Sequence, residues 1–170
     1  MPNTLFTGTH LLVLERDHWQ YAERRKGKSA AVIFALTDDD RVVLTEQFRK
    51  PVNARVIDFP AGLVGDESED EDAAVTARRE LEEETGFVCE SLEAVGSGPS
   101  SPGITSEIIH MFRATGLRRD GQGGGVEGEE IEVHQVPRAD LEHWLQRKRG
   151  EGVLIDVKVW AGLYFLSTST

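Results

Sequence analysis

The stretch from Gly65 to Phe87 constrains this chain more than any other. It runs Gly65, five residues, Glu71, seven residues, then Arg79-Glu80-Leu81-Glu82-Glu83-Glu84-Thr85-Gly86-Phe87. Ser68-Glu69-Asp70-Glu71 has the Ser-x-x-Glu form of a capping box, which predicts a helix starting near residue 69. Asp72 to Thr85 contains no Pro or Gly and is rich in Ala, Glu and Arg. Gly86 stands where a helix C-cap wants a residue able to take positive φ. On such a helix Glu80 and Glu84 lie one turn apart on one face, with Glu83 beside them. Ala73, Ala74, Ala77 and Leu81 form another stripe, suited to burial against a sheet.

A run of glutamates on a helix is most often a solvated face, and this chain is rich in acid. Like charges at i, i+4, however, oppose helix formation by about 0.2–0.5 kcal/mol per pair. Clustering Glu80, Glu83 and Glu84 is therefore locally unfavourable unless a cation sits among them. Converging carboxylates suit Mg²⁺ or Mn²⁺, hard ions that prefer oxygen ligands and usually serve a phosphate-bearing substrate. Arg79 can pair with Glu83, four residues on, or with Glu71, and hold the carboxylates in orientation.

The pattern Gly-x5-Glu-x7-Arg-Glu-aliphatic-x-Glu-Glu-x-Gly-hydrophobic resembles the Nudix box, and it is complete here, with Phe87 in the last position. The resemblance implies hydrolysis of a nucleoside diphosphate linked to another group, with a divalent metal. It also implies an α/β/α sandwich around a curved mixed sheet.

The chain's 170 residues make one such domain, and we divide them into a strand extension over residues 1–28 and the Nudix domain over 29–170. The net charge of −11 argues against a nucleic-acid backbone as partner. Cys89 is the single cysteine, so no intrachain disulfide forms and a reducing compartment fits. Cys89 itself reads as a small buried residue. The N-terminus lacks a basic region followed by an apolar core, and no apolar run reaches transmembrane length. A cytoplasmic protein without membrane contact is the expectation. No internal repeat stands out.

Leu11–Leu14 and Trp19–Arg24 read as short strands. Ala30–Leu36 reads as a buried strand, turning at Thr37-Asp38-Asp39-Asp40 into a second over Arg41–Gln47, a predicted hairpin. Val56–Phe59 reads as a strand ended by Pro60-Ala61-Gly62. Further strands are expected at Leu92–Gly96, Ile108–Ala114 and Ile131–Val136. Residues 120–128 read as a glycine-rich, mobile loop. Helices are expected at Arg138–Arg149, on Leu141, Trp144 and Leu145, and at Asp156–Leu166. In the latter, Val157, Trp160, Ala161, Tyr164 and Phe165 stand at helical spacing.

Segments outside the box resemble the ADP-ribose pyrophosphatase group. They are Gln47-Phe48-Arg49, Phe59-Pro60-Ala61-Gly62-Leu63, Ser101-Pro102-Gly103-Ile104-Thr105-Ser106-Glu107, Trp19-x-x-Ala22-x-Arg24 and Asp156-Val157-Lys158. The resemblance implies cleavage of ADP-ribose to AMP and ribose 5-phosphate. A GDP-mannose or other sugar-nucleotide pyrophosphatase is the alternative within the family. A non-catalytic nucleotide-binding regulator is the alternative outside it, although a pure binder needs no complete metal site.

For the residues, the resemblance implies Glu80 and Glu84 as metal ligands, Glu83 assisting, and the Ala61 carbonyl as a further ligand. Arg24 and Arg49 would grip phosphate oxygens, beside the Pro102-Gly103 segment. An ordinary surface ion pair is the other reading of each arginine. Trp19 would stack on a base; core packing or a dimer contact is its other reading. The general base would come from the loop at 120–130, where Glu129 fits best and Glu127, Glu130 and Glu107 are alternatives. These acids could equally serve only to keep a loop soluble. The group also implies a homodimer with crossing N-terminal strands. The five histidines, His10, His18, His110, His134 and His143, show no metal-ligand spacing.

Overall fold

The computed structural model describes residues 1–66, 68, 70–125 and 128–167. The N-terminal strands β1 (Asn3–Thr7), β2 (Leu11–Arg16) and β3 (Trp19–Arg24) form a three-stranded antiparallel sheet of their own. The larger sheet is mixed. It comprises β4 (Ser29–Leu36), β5 (Arg41–Arg49), β6 (Ala54–Asp58), β7 (Ala61–Val64), β8 (Phe87–Pro99), β9 (Ile108–Arg119), β10 (Ile131–Pro137) and β11 (Leu154–Ile155). The order β11-β6-β5-β4-β9-β8 runs through it, with β10 on β5 and β7 on β4. The pairs β4–β9 and β11–β6 are parallel and the others antiparallel.

The continuous apolar run of β4 explains the layers. Alternate residues of a strand point to opposite faces, so a strand buried on both reads as unbroken hydrophobe. Ala31, Ile33 and Ala35 pack with Ala77 and Leu81 of α1 (Ala73–Thr85). Val32 and Phe34 face the other way, towards Leu141 and Leu145 of α2 (Leu141–Gly150) and Val159 and Leu166 of α3 (Val157–Ser167). The result is the α/β/α arrangement, with one core on each side of the sheet.

Three expectations need correction. The box helix begins at Ala73 rather than near residue 69, and its cap is Asp72, whose side chain accepts from Ala74 N at 2.7 Å. Glu71 does not close a capping box, because its carboxylate turns to Gly65 N (3.4 Å) and Arg79 Nε (3.7 Å); Glu69 lies outside the described residues. Ala61-Gly62 is not a turn but the start of β7, drawn into the sheet by pairing with Val32 and Ala31. Finally, α3 buries Val159, Gly162 and Leu166 while Val157 is 74% exposed and Trp160 and Tyr164 face outward. A helix apolar all round carries no stripe from which its buried face can be read. The remaining elements lie where expected, with strand ends extended, and β1 and β11 were not anticipated. Cys89 is half-buried, its carbonyl accepting from Arg78.

Candidate active site

α1 lies across β7, and this crossing builds the acidic centre. The last turns of α1 present Glu80 and Glu84 to the backbone of Ala61 and Gly62. Ala61 N donates to Glu84 Oε2 at 3.1 Å. Glu80 rests directly on Gly62, where a Cβ would stand 2.0 Å from its Oε1. Glycine is needed there because any side chain would occupy the carboxylate's place. Arg79 braces the set: its guanidinium reaches Glu80 Oε1 (2.9 Å), Glu83 Oε2 (3.0 Å) and Asp66 Oδ1 (3.3 Å). Glu83 is held on the Arg79 side, while Glu80, Glu84, Ala61 and Asp66 line a cleft of about 770 Å³.

The charge here is not balanced from within. Burial pushes the Glu84 carboxyl up to about 8, and Glu80 and Glu129 push the same way against the Ala61 amide and Arg49. Burial likewise pushes Glu80 up to about 7, with Glu83 and Asp66 adding to it and Arg79 opposing. Buried carboxylates in this state demand either protons or a cation. The donors are hard oxygens on a rigid helix and strand, which fits Mg²⁺ or Mn²⁺.

Arg24, Arg49, Glu107 and Glu129 open onto the same cleft. Arg49 sits close enough for its charge to act on Glu84. Arg24 is paired with Glu107 at 3.0 Å, so each occupies the other. Glu129 also acts on Glu84, whereas the charge of Glu130 acts on Arg55, away from the cleft lining. Glu127 lies outside the described residues. Trp19, Pro102 and Gly103 are brought together but outside the cleft lining: Trp19 Nε1 donates to the Gly103 carbonyl at 3.2 Å, and the ring is 62% exposed. The segment at 101–107 lies along β3, with Ala22 N donating to Ile104 O at 2.8 Å.

Sequence reasoning missed a second part of the cleft. Lys158 bridges Asp58 (2.9 Å) and Asp156 (2.7 Å) on its wall. Burial pushes Asp58 up to about 6, against the pull of Lys158. The signal was a lone lysine in an otherwise apolar helix. Also missed was the meeting of His134 with Glu46 and Glu132, whose ligand atoms lie within 4.8 Å of one another. This cluster differs from the box site, because Glu46 already accepts from Arg55 and from Lys148 Nζ at 2.8 Å. Burial alone would raise Glu46, but these bonds and that of His134 hold it down at about 2. Two resident cations leave no charge for a metal to neutralise.

A sequence profile of the NUDIX domain matches residues 26–156. The chain belongs to the Nudix hydrolase family. It is similar to a methanol dehydrogenase activator of Bacillus methanolicus, 36% identical over 121 residues covering 71% of this chain and 64% of that protein. It is similar to an ADP-ribose pyrophosphatase of Bacillus subtilis (strain 168), 37% identical over 92 residues covering 54% and 48%. A GDP-mannose pyrophosphatase of Cronobacter sakazakii is 36% identical over 141 residues, 78% and 70%. The matches thus span under two thirds of the first two relatives' own lengths. A solved structure titled as an ADP compounds hydrolase shares the Nudix fold, with a TM-score of 0.65 at 21% identity over 84% of this chain and 80% of that one. Among the described residues no helix is long and apolar enough to cross a membrane.

Proposed function

We propose that this Nudix protein is a Mg²⁺-dependent pyrophosphohydrolase that cleaves ADP-ribose, or a related nucleoside diphosphate sugar, to a nucleoside monophosphate and a sugar phosphate. The observation that carries the reading is one cleft lined by two under-neutralised carboxylates, the buried Glu84 and the half-buried Glu80, together with Arg24 and Arg49. Glu80 and Glu84, with Glu83 and the Ala61 carbonyl, would hold the metal. Bound there, a divalent ion would offset the pyrophosphate charge and acidify a water. Arg49 grips a phosphate oxygen through a charge-assisted bond, and Arg24 does so by exchanging Glu107 for the substrate. Glu129 takes the proton as the water oxygen adds to one phosphorus; the bridging oxygen leaves with the other phosphate. Arg79 acts indirectly, by fixing Glu80 and Glu83.

Pro102-Gly103 and Trp19 would serve the nucleoside where the segment at 101–107 lies along β3. The exposed strand β1 suits a homodimer built through residues 1–28, in a cytoplasmic setting consistent with the single cysteine. GDP-mannose is the second substrate reading, supported by the similarity to the GDP-mannose pyrophosphatase of Cronobacter sakazakii. A purely regulatory role is weaker, since binding alone needs no complete carboxylate set.

The test is a panel of ADP-ribose, ADP-glucose and GDP-mannose with Mg²⁺, read as release of AMP or GMP. AMP from ADP-ribose is expected, with Glu84→Gln slower by about 10²-fold or more. No hydrolysis of any of the three by folded protein would sink the enzyme reading. An equally active Glu84→Gln would sink the metal assignment.

A further inference from the structure

The glycine-rich stretch after β9 is not used as a flexible tether over its described first half. The last carbonyls of a helix lack intrahelical partners and must find others. In α1 these belong to the metal-site glutamates themselves. Gly125 N donates to Glu83 O at 3.0 Å and Gly124 N to Glu84 O at 2.8 Å. Asp120 N and Gly121 N both donate to Gly86 O, at 2.9 and 3.1 Å. Gly124 also accepts from Ile131 N, the first residue of β10, at 3.4 Å. One residue therefore joins the end of the metal helix to the base of the loop that carries Glu129.

The contact is too close for side chains. A Cβ on Gly123 would lie 2.4 Å from the Thr85 carbonyl carbon, and one on Gly86 would lie 2.4 Å from Gly121 O. Gly123, Gly124 and Gly125 take φ of +70°, +104° and +85°, a region open to glycine. A Cβ on Gly125 would stand 2.5 Å from Glu129 Oε2. Gly128 is the contrast: φ is +95°, yet nothing lies within 4 Å of its Cβ position.

We propose that residues 121–125 form a backbone clasp that fixes the last turn of α1, and with it the spacing between Glu84 and Glu129. Gly123, Gly124 and Gly125 are then positioning residues for the reaction. The inference rests on the hydrolase reading above and on Glu129 as the base. Catalytic groups lose effect when displaced by about 1 Å, so main-chain bonds of this kind set the rate without touching substrate.

The experiment compares Gly123→Ala, Gly125→Ala and Gly128→Ala in the full chain. Mn²⁺ affinity without substrate is read by electron paramagnetic resonance, and kcat and KM with ADP-ribose. Gly123→Ala should weaken Mn²⁺ binding by about fivefold or more, and Gly125→Ala should lower kcat by about 30-fold with KM and Mn²⁺ affinity within about threefold. Gly128→Ala, which shares the positive φ but not the close contact, should lose less than either variant does in its own readout. The clasp is overturned if folded Gly123→Ala binds Mn²⁺ as the parent does, or if Gly125→Ala loses no more kcat than Gly128→Ala. Should Gly123→Ala not fold, amide exchange in the parent decides: protected Gly124 and Gly125 amides support the clasp, and freely exchanging ones refute it. If the parent hydrolyses no nucleotide sugar, the hydrolase reading fails while the Mn²⁺ and exchange measurements still judge the clasp.

Discussion

Glu46 and Glu84 are buried alike, 3% and 6% exposed, and differ in what surrounds them. Glu46 is matched by Arg55 and Lys148 and held at about 2, so its contribution to stability is present above the ordinary carboxyl range and lost as pH falls from about 4.5 towards 2. Glu84 has the opposite sign. Its folded-state value of about 8 lies above that of the unfolded chain, so the folded protein holds the proton and metal-free stability falls as pH rises between the two. Glu84→Gln should therefore stabilise the metal-free protein at pH 8 by about 1–2 kcal/mol and change little at pH 5. Urea unfolding in a chelator at both pH values checks this, and a variant less stable than the parent at pH 8 would refute it. Mg²⁺ should then stabilise the parent and not the variant. The sequence displays Glu46 and Glu84 as similar acids; only their partners separate a neutralised carboxylate from one left without a matching cation.

At the scale of elements, α1 was legible because its determinants are local. The four-residue spacing of Glu80 and Glu84, the alanine stripe and the closing Gly86 (φ +72°) all lie within one 13-residue helix and its cap. The strand β7 was not, since Pro60-Ala61-Gly62 favours a turn locally and pairing with β4 overrides it. The buried face of α3 was also hidden. Gly162 decides it: a Cβ there would meet Phe59 Cε2 at 2.2 Å and Phe34 Cδ1 at 2.9 Å. A mid-helix glycine costs about 1 kcal/mol in propensity, which the close approach to these rings offsets. Gly162→Ala should thus destabilise the protein by about 1–3 kcal/mol through overpacking, despite its better helix propensity. Thermal unfolding measures it, and a neutral or stabilised variant would show that α3 can shift without loss.

At the scale of the whole molecule, the N-terminal sheet stands out. Every residue of β1 is exposed, and Phe6 is 61% exposed, on a sheet that meets the larger one through the segment at 101–107. A three-stranded sheet so thinly covered gains from a second copy, which is the basis of the proposed dimer. Sedimentation should give twice the 18.8 kDa chain mass, and Phe6→Asp should return it to the monomer. A monomeric parent at micromolar concentration would rule the dimer out. The sequence by itself determined the box helix, the convergence of its glutamates on one face and the family, because those residues lie within one short stretch and interact through helical spacing. The tertiary structure alone decided which acids are neutralised, what lies beneath the carboxylates and what holds the helix end. Lys148 reaches Glu46 across 102 positions, and Gly62 and Gly124 meet α1 from separate elements. Charge balance and close backbone contact depend on distance in space, which local patterning does not encode.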